Sequence, residues 1–168
     1  ALGFIGFFFG DITGNLGWNL GNDFRDRDVG LWTGVMITHV TLVDIDLGAN
    51  RIGDDGACVV ADAIKGSSLI KRVGLRNNKI GSRGAIALAY ALEARPRMEC
   101  LELDFNKIDD DGILTISKVL RNLTSGVEIP LSANKFNHGG VIALSEAFKG
   151  NHKLQHLELQ FTSVGCGA

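Results

Sequence analysis

Residues 42–64 read LVDIDLGANRIGDDGACVVADAI, and residues 70–92 read IKRVGLRNNKIGSRGAIALAYAL. Residues 98–120, MECLELDFNKIDDDGILTISKVL, and 126–148, GVEIPLSANKFNHGGVIALSEAF, continue the pattern. Asn50, Asn78, Asn106 and Asn134 recur at a step of 28 residues, and Gly56, Gly84, Gly112 and Gly140 keep the same step. The next step lands on Thr162 and Ala168, and the preceding one on Asn22. Self-similarity at one fixed period marks an architecture of stacked units.

Each unit has two halves. The first alternates apolar and polar residues, with Ile45/Leu47, Val73/Leu75, Leu101/Leu103, Ile129/Leu131 and Leu157/Leu159 as its apolar pairs. Short alternation bounded by turn residues predicts strands, near 44–47, 72–75, 100–103, 128–131 and 156–159. The second half carries apolar residues at helical spacing, as in Ala57, Val60, Ala61 and Ile64. It predicts helices near 28–37, 57–65, 85–94, 113–121 and 141–149. Asp54, Ser82 and Asp110 stand just before these helices and read as N-caps.

One strand and one helix cannot bury their apolar faces alone, but stacked copies can. Parallel strands then line a concave side and helices a convex side of a curved α/β solenoid. Asn50, Asn78, Asn106 and Asn134 suit a ladder, because an amide side chain both donates and accepts and so can satisfy backbone groups in each turn. The repeated Gly suits a tight helix entry where a side chain would crowd the sheet.

The motif L-x-x-L-x-L-x-x-N-x-I-G-x-x-G-A resembles the leucine-rich repeats of the ribonuclease-inhibitor class, over roughly residues 42–168. That class also occurs in the sensor arms of NOD-like receptors and in the Ran GTPase-activating protein. The resemblance implies a leucine-rich repeat solenoid that binds other proteins. A GTPase-activating regulator or a receptor sensor arm are the alternatives it suggests.

The organisation expected is an apolar N-terminal segment (1–10), an irregular capping repeat (11–40), and repeats of 28 residues over 41–168, the last incomplete. In the capping repeat Gly17 and Asn19 occupy strand positions, and Trp18 and Leu20 come one residue later. Gly126 replaces the first leucine of its unit, and Pro130 lies within a strand, where it lacks a ladder donor. The segment ALGFIGFFFG is too short to span a bilayer, which needs ~20 apolar residues. It lacks the basic flank of a signal peptide. Phe4, Phe7, Phe8 and Phe9 are therefore expected either to cover the end of the core or to meet another subunit or a membrane. The first residue is Ala1, not Met, which points to a processed or truncated chain. An intracellular location is the default, and a membrane-associated or organellar complex is the alternative.

Composition narrows the function. Of 168 residues 45% are apolar and 21% charged, with a net charge of -2, which excludes disorder and gives no basic footprint for nucleic acid. Gly is abundant at 22 and Pro scarce at 2. Cys58, Cys100 and Cys166 are too few and scattered for a disulfide scaffold. Cys58 is expected to be buried, and Cys100 to face the concave side. Asp109-Asp110-Asp111-Gly112 fails the EF-hand spacing, since Lys107 falls in the first ligand position. His39, His138, His152 and His156 offer no metal spacing, and no nucleophile motif or phosphate loop is present. No cofactor or enzymatic activity is expected.

The concave face is left as the candidate site. Asp44, Asp46, Arg72, Arg76, Asn77, Glu102, Asp104, Phe105, Glu128, His156, Glu158 and Phe161 point outward from the strands or stand beside them. Their signs alternate between units, so Arg72 and Arg76 can pair laterally with Asp44, Asp46 or Asp104. Two readings are open: a self-neutralising solvated face, or a docking surface anchored by Phe105, Phe161 and Arg76. The expected role is a non-catalytic interaction module, a scaffold or accessory subunit, with other protein subunits as partners.

Overall fold

The structure, a computed structural model, describes residues 7–10, 16–19, 25–30 and 42–153. Five strands form one sheet in chain order: β1 (Phe7–Gly10), β2 (Leu16–Asn19), β3 (Leu42–Asp46), β4 (Arg72–Gly74) and β5 (Cys100–Glu102). Four helices follow the same period: α1 (Asp54–Gly66), α2 (Ser82–Ala94), α3 (Asp110–Asn122) and α4 (His138–Gly150). Residues 26–30 are also helical. Each labelled helix packs on the next, α1 on α2, α2 on α3 and α3 on α4.

The parallel strands align residue for residue with the repeat. Asp44 faces Arg72 and Arg72 faces Cys100; Ile45 faces Val73 and Val73 faces Leu101. Alternation then sends Ile45, Val73, Leu101 and Ile129 inward, each under 5% exposed. They meet Val60, Leu88, Ile116 and Leu144 from the helices, all buried. Like side chains thus stack on like, and each fully buried Leu or Ile contributes roughly 1.5–3 kcal/mol. Phe136 takes the place of Ile52, Ile80 and Ile108 in the fourth unit and is wholly buried.

Three expectations are corrected. The helices begin three residues earlier than the apolar spacing suggested, because Asp54, Ser82 and Asp110 are first helical residues and not caps. The strand expected over 128–131 is reduced to a single bridge, Glu128 with Cys100. Pro130 explains this: its carbonyl accepts from Leu103 N at 3.0 Å, but it has no N–H to return. At the other end, Trp18, not Gly17, faces Ile45, with an irregularity between Leu16 and Gly17. Strand β2 thus runs one residue short of the repeat, which brings the apolar Trp18 into register. β1 pairs antiparallel with β2, Phe8 facing Trp18, and forms the outer edge of the sheet. The strand and helix positions expected at 156–159 and 31–37 lie outside the described residues.

Candidate protein-interaction surface

Four rows cross the strand side, one residue per unit. Asp44, Arg72, Cys100 and Glu128 make the first, and Asp46, Gly74, Glu102 and Pro130 the second. Gly48, Arg76, Asp104 and Ser132 make the third, and Ala49, Asn77, Phe105 and Ala133 the fourth. Arg72, Arg76, Asn77, Phe105 and Glu128 are exposed; Asp44, Asp46, Glu102 and Asp104 are half-buried.

The carboxylates are partly committed to the scaffold. Asp46 Oδ1 accepts from Gly48 N at 2.9 Å, and Asp104 Oδ1 accepts from Ser132 N at 2.7 Å. A Cβ on Gly74 or Gly48 would stand 3.0 Å from Asp46 Oδ1, so glycine leaves room for that carboxylate. The lateral pairing expected of Arg72 and Arg76 is not formed: neither makes an ion pair among the described residues. Both guanidinium groups stay available to an outside acceptor, and the face is not self-neutralised through them.

The fourth row sets the geometry of its side chains. Ala49, Asn77, Phe105 and Ala133 all adopt left-handed backbone, with φ of 53 to 56°. Their amides tie one unit to the next, Asn77 N to Asp104 O at 2.8 Å and Phe105 N to Ser132 O at 2.9 Å. Left-handed backbone suits Asn and burdens a bulky L-residue. Phe105 is nonetheless there, 57% exposed, while the flanking units carry Asn77 and Ala133.

Behind this row lies the asparagine ladder. Asn78 Nδ2 donates to Leu47 O at 2.9 Å and Leu75 O at 3.1 Å, and its Oδ1 accepts from Ile52 N at 3.0 Å. Asn106 repeats the set with Leu75, Leu103 and Ile80, and Asn134 with Leu103, Leu131 and Ile108. Asn50 donates to Leu47 O and Gly48 O. All four are buried. Asn78, Asn106 and Asn134 each join two turns, so the rows above them are held in fixed register.

A second ladder binds the helices, and the sequence reading missed its direction. Asp54 Oδ1 accepts from Gly81 N at 2.7 Å and Gly84 N at 3.0 Å, capping the helix of the following unit. Asp110 does the same for Asn137 N and Gly140 N, and Ser82 Oγ for Asp109 N and Gly112 N. Asp26 Oδ1 accepts from Gly53 N at 2.6 Å. Among the described helices, Asp109 alone caps its own, accepting from Asp111 N at 3.1 Å. The repeated Gly follows from this arrangement. A Cβ on Gly84 would lie 2.8 Å from Ala57 Cβ and 2.9 Å from Asp54 Oδ1, so it would crowd the preceding helix, not the sheet.

Of the two described cysteines, Cys58 departs from expectation and Cys100 takes the expected face. Cys58 is half-buried, and Cys100, on the strand face, is only 3% exposed. Burial, with Glu102 and Glu128 nearby and Arg72 opposing, pushes the Cys100 thiol up to about 11. Such a thiol stays protonated and is no nucleophile near neutrality. His156, Glu158, Phe161 and Phe4 lie outside the described residues. Phe7, Phe8 and Phe9 form β1.

Parallel strands and helices at one period, pinned by side-chain ladders, make this chain an α/β leucine-rich-repeat solenoid. A leucine rich repeat family profile matches residues 38–60, 67–89 and 98–117. A solved structure of leiomodin-1 actin-binding site 2 superposes with a TM-score of 0.65 at 19% identity, over 80% of this chain and 79% of that one. That likeness is one of fold. No curated protein matches the chain.

Proposed function

We propose that this chain is a non-catalytic interaction module, a scaffold or accessory subunit that docks another protein on its strand side. We also take its repeats as belonging to the ribonuclease-inhibitor class. The observation that carries the docking surface is Phe105: an aromatic side chain held 57% exposed on strained backbone, one unit on from Arg76, which makes no ion pair among the described residues. Aromatic and arginine anchors dominate interface energies, and a solvated face has no use for an exposed Phe at a position that disfavours it. By the 28-residue period Phe161 would continue the row in the next unit, and Asp44, Asp46, Glu102, Asp104 and Glu128, with His156 and Glu158, would supply the polar rim.

The N-terminal segment supports the subunit reading. Among the described residues β1 is the edge strand of the sheet, and an edge strand is a feature that invites a partner strand. Phe4, Phe7, Phe8 and Phe9 would then meet a neighbouring subunit or a membrane surface. Among the described residues no helix is long and apolar enough to cross a membrane.

Leiomodin-1 actin-binding site 2 has this fold, so actin is the first protein to test. Crosslinking followed by mass mapping of a purified complex should place contacts on the strand side. Phe105→Ser and Arg76→Glu should each weaken that complex at least about tenfold. Contacts confined to the helix side, with both variants binding like the parent, would overturn the assignment.

A further inference from the structure

Arg51, Lys79, Lys107 and Lys135 follow the ladder asparagines directly, one per unit, and all four are exposed. Their backbones stack: Lys79 N donates to Ile52 O, Lys107 N to Ile80 O and Lys135 N to Ile108 O, each at 2.8 Å. Neighbouring rungs are therefore spaced about like strands in a sheet, ~4.8 Å apart. Arg25 extends the line by its parallel bridge to Arg51.

The row carries cations alone, unlike its neighbours on the solenoid surface. At three other places adjacent units pair opposite charges: Lys71 with Glu99 at 2.7 Å, Arg83 with Asp55, and Arg121 with Glu146 at 3.3 Å. Lys79, Lys107 and Lys135 make no ion pair among the described residues. Asp54 and Asp110, three residues after Arg51 and Lys107, are turned to the amides of the next helix, and Asp109 accepts from Asp111 N and Ser82 Oγ. Like charges on adjacent rungs are destabilising. At its N-terminal end the row opens into a recess of about 400 Å³ lined by Arg25, Asp26, Arg27, Arg51 and Lys79. Its one carboxylate, Asp26, accepts from Gly53 N.

We infer that this ridge binds an acidic, extended segment of a protein partner, its carboxylates running along the turns from Lys135 towards the recess at Arg51. The inference rests on the interaction-module reading but uses a different edge of the molecule from the strand-side surface. A protein segment fits better than a nucleic acid. Single strands are held by a series of aromatic platforms interleaved with cations, and among the described residues the turns beside this row expose one aromatic residue, Phe105. The net charge of the chain is -2, so attraction is local to the ridge. Four rungs cover ~14 Å, which a strand rising ~3.3 Å per residue spans in about five residues.

The test is fluorescence anisotropy of a labelled oligoglutamate peptide of about eight residues, titrated with the whole chain at low salt. The parent should bind it, with affinity that falls as salt rises. The variant K79E/K107E/K135E should lose at least about tenfold. The variant K118E/K149E/K153E, with the same change in net charge at exposed sites off the row, should bind like the parent. Circular dichroism melts check that both variants fold, and K79Q/K107Q/K135Q serves if the reversal does not. Equal binding by the parent and the row variant, or equal loss in the control, would overturn the proposal. So would tighter binding of an oligothymidine of equal charge, or of phosphatidylserine vesicles. None of these outcomes bears on crosslinks to the strand side, so the two sites fail or stand separately.

Discussion

Asp54 Oδ1 accepts the amide proton of Gly84 at 3.0 Å, from one unit to the next. The carboxylate oxygen lies 2.9 Å from where a Gly84 Cβ would be, and it also holds Gly81 N. Helix capping in this solenoid is therefore an interface between repeats and not a property of one helix. Asp54→Ala should cost ~0.5–2 kcal/mol, the usual loss for a removed cap. Asp54→Ser should cost less, since Ser82 performs the same task one unit on. Gly84→Ala should destabilise although Ala is the better helix former by ~1 kcal/mol. Urea unfolding measures all three, and a Gly84→Ala variant more stable than the parent would show that the crowding is relieved without cost.

The ladder of amides makes a sharper demand. Asn106 satisfies Leu75 O, Leu103 O and Ile80 N from within the core. Leucine matches its size but offers no partner to any of them. Each orphaned buried group costs ~1–3 kcal/mol, so Asn106→Leu should lower the unfolding free energy by at least that much. Replacing an exposed residue of the same turn, Lys107→Ala, should change it by less than ~0.5 kcal/mol. Equal midpoints for the two variants would refute the ladder's energetic role.

How much of this was legible follows from what a period can carry. The step of 28 residues gave register, strand and helix order, and the positions of Asn50, Asn78, Asn106 and Asn134, because stacked copies must repeat whatever the stack requires. It could not say which helix Asp54 caps, since a residue one position inside a helix and one just before it look alike in sequence. The helix starts slipped by three residues for that reason. Trp18 shows the converse: its displacement from the repeat was visible, but only the pairing with Ile45 revealed a strand shifted to match. Nothing in the letter Phe marks left-handed backbone, so the strain at Phe105 was hidden. The like-charged row at Lys79, Lys107 and Lys135 is visible in the sequence, but that it stays without ion pairs among the described residues depends on where the neighbouring carboxylates turn.

Ser117 tests the packing between helices. Its hydroxyl is buried without a partner among the described residues, where Ala61 and Ala89 stand in the preceding units. Ser117→Ala removes an unsatisfied polar atom and keeps the shape, so stability should rise by up to ~1 kcal/mol. A loss of more than that in thermal or urea unfolding would mean the hydroxyl is bonded in solution.

The two described cysteines should separate by reagent. Cys58 is half-buried and should react with a maleimide in the folded protein; Cys100 should react only on unfolding. The pH dependence has a definite sign. Burial raises the folded Cys100 thiol from 9.0 to about 11. Its stabilising share is complete below the unfolded value and is lost as pH climbs from about 9 towards 11. Cys100→Ala should flatten that alkaline decline. Mass spectrometry after brief labelling gives the first result and pH-dependent melting the second; rapid labelling of Cys100 at neutral pH would contradict both.

Phe105 is where stability and binding should part. Its φ of 54° is shared with Asn77, a residue type that tolerates left-handed backbone through its short polar side chain. Phe105→Asn therefore relieves strain of ~1–2 kcal/mol per residue in that region, at a side chain that is already 57% exposed. It should raise the melting temperature by a few degrees, at ~2–4 °C per kcal/mol for a chain of this size. Gly would gain less, because it adds entropy to the unfolded chain. The same Phe105→Asn exchange removes the aromatic anchor and should weaken any strand-side complex, with the loss seen in the dissociation rate. A scaffold residue would give the opposite pattern, lower melting and unchanged binding. Calorimetry on the free variant decides between them before any partner is in hand: a melting temperature below the parent's would mean that the Phe105 ring holds the turn and is not kept at the expense of stability.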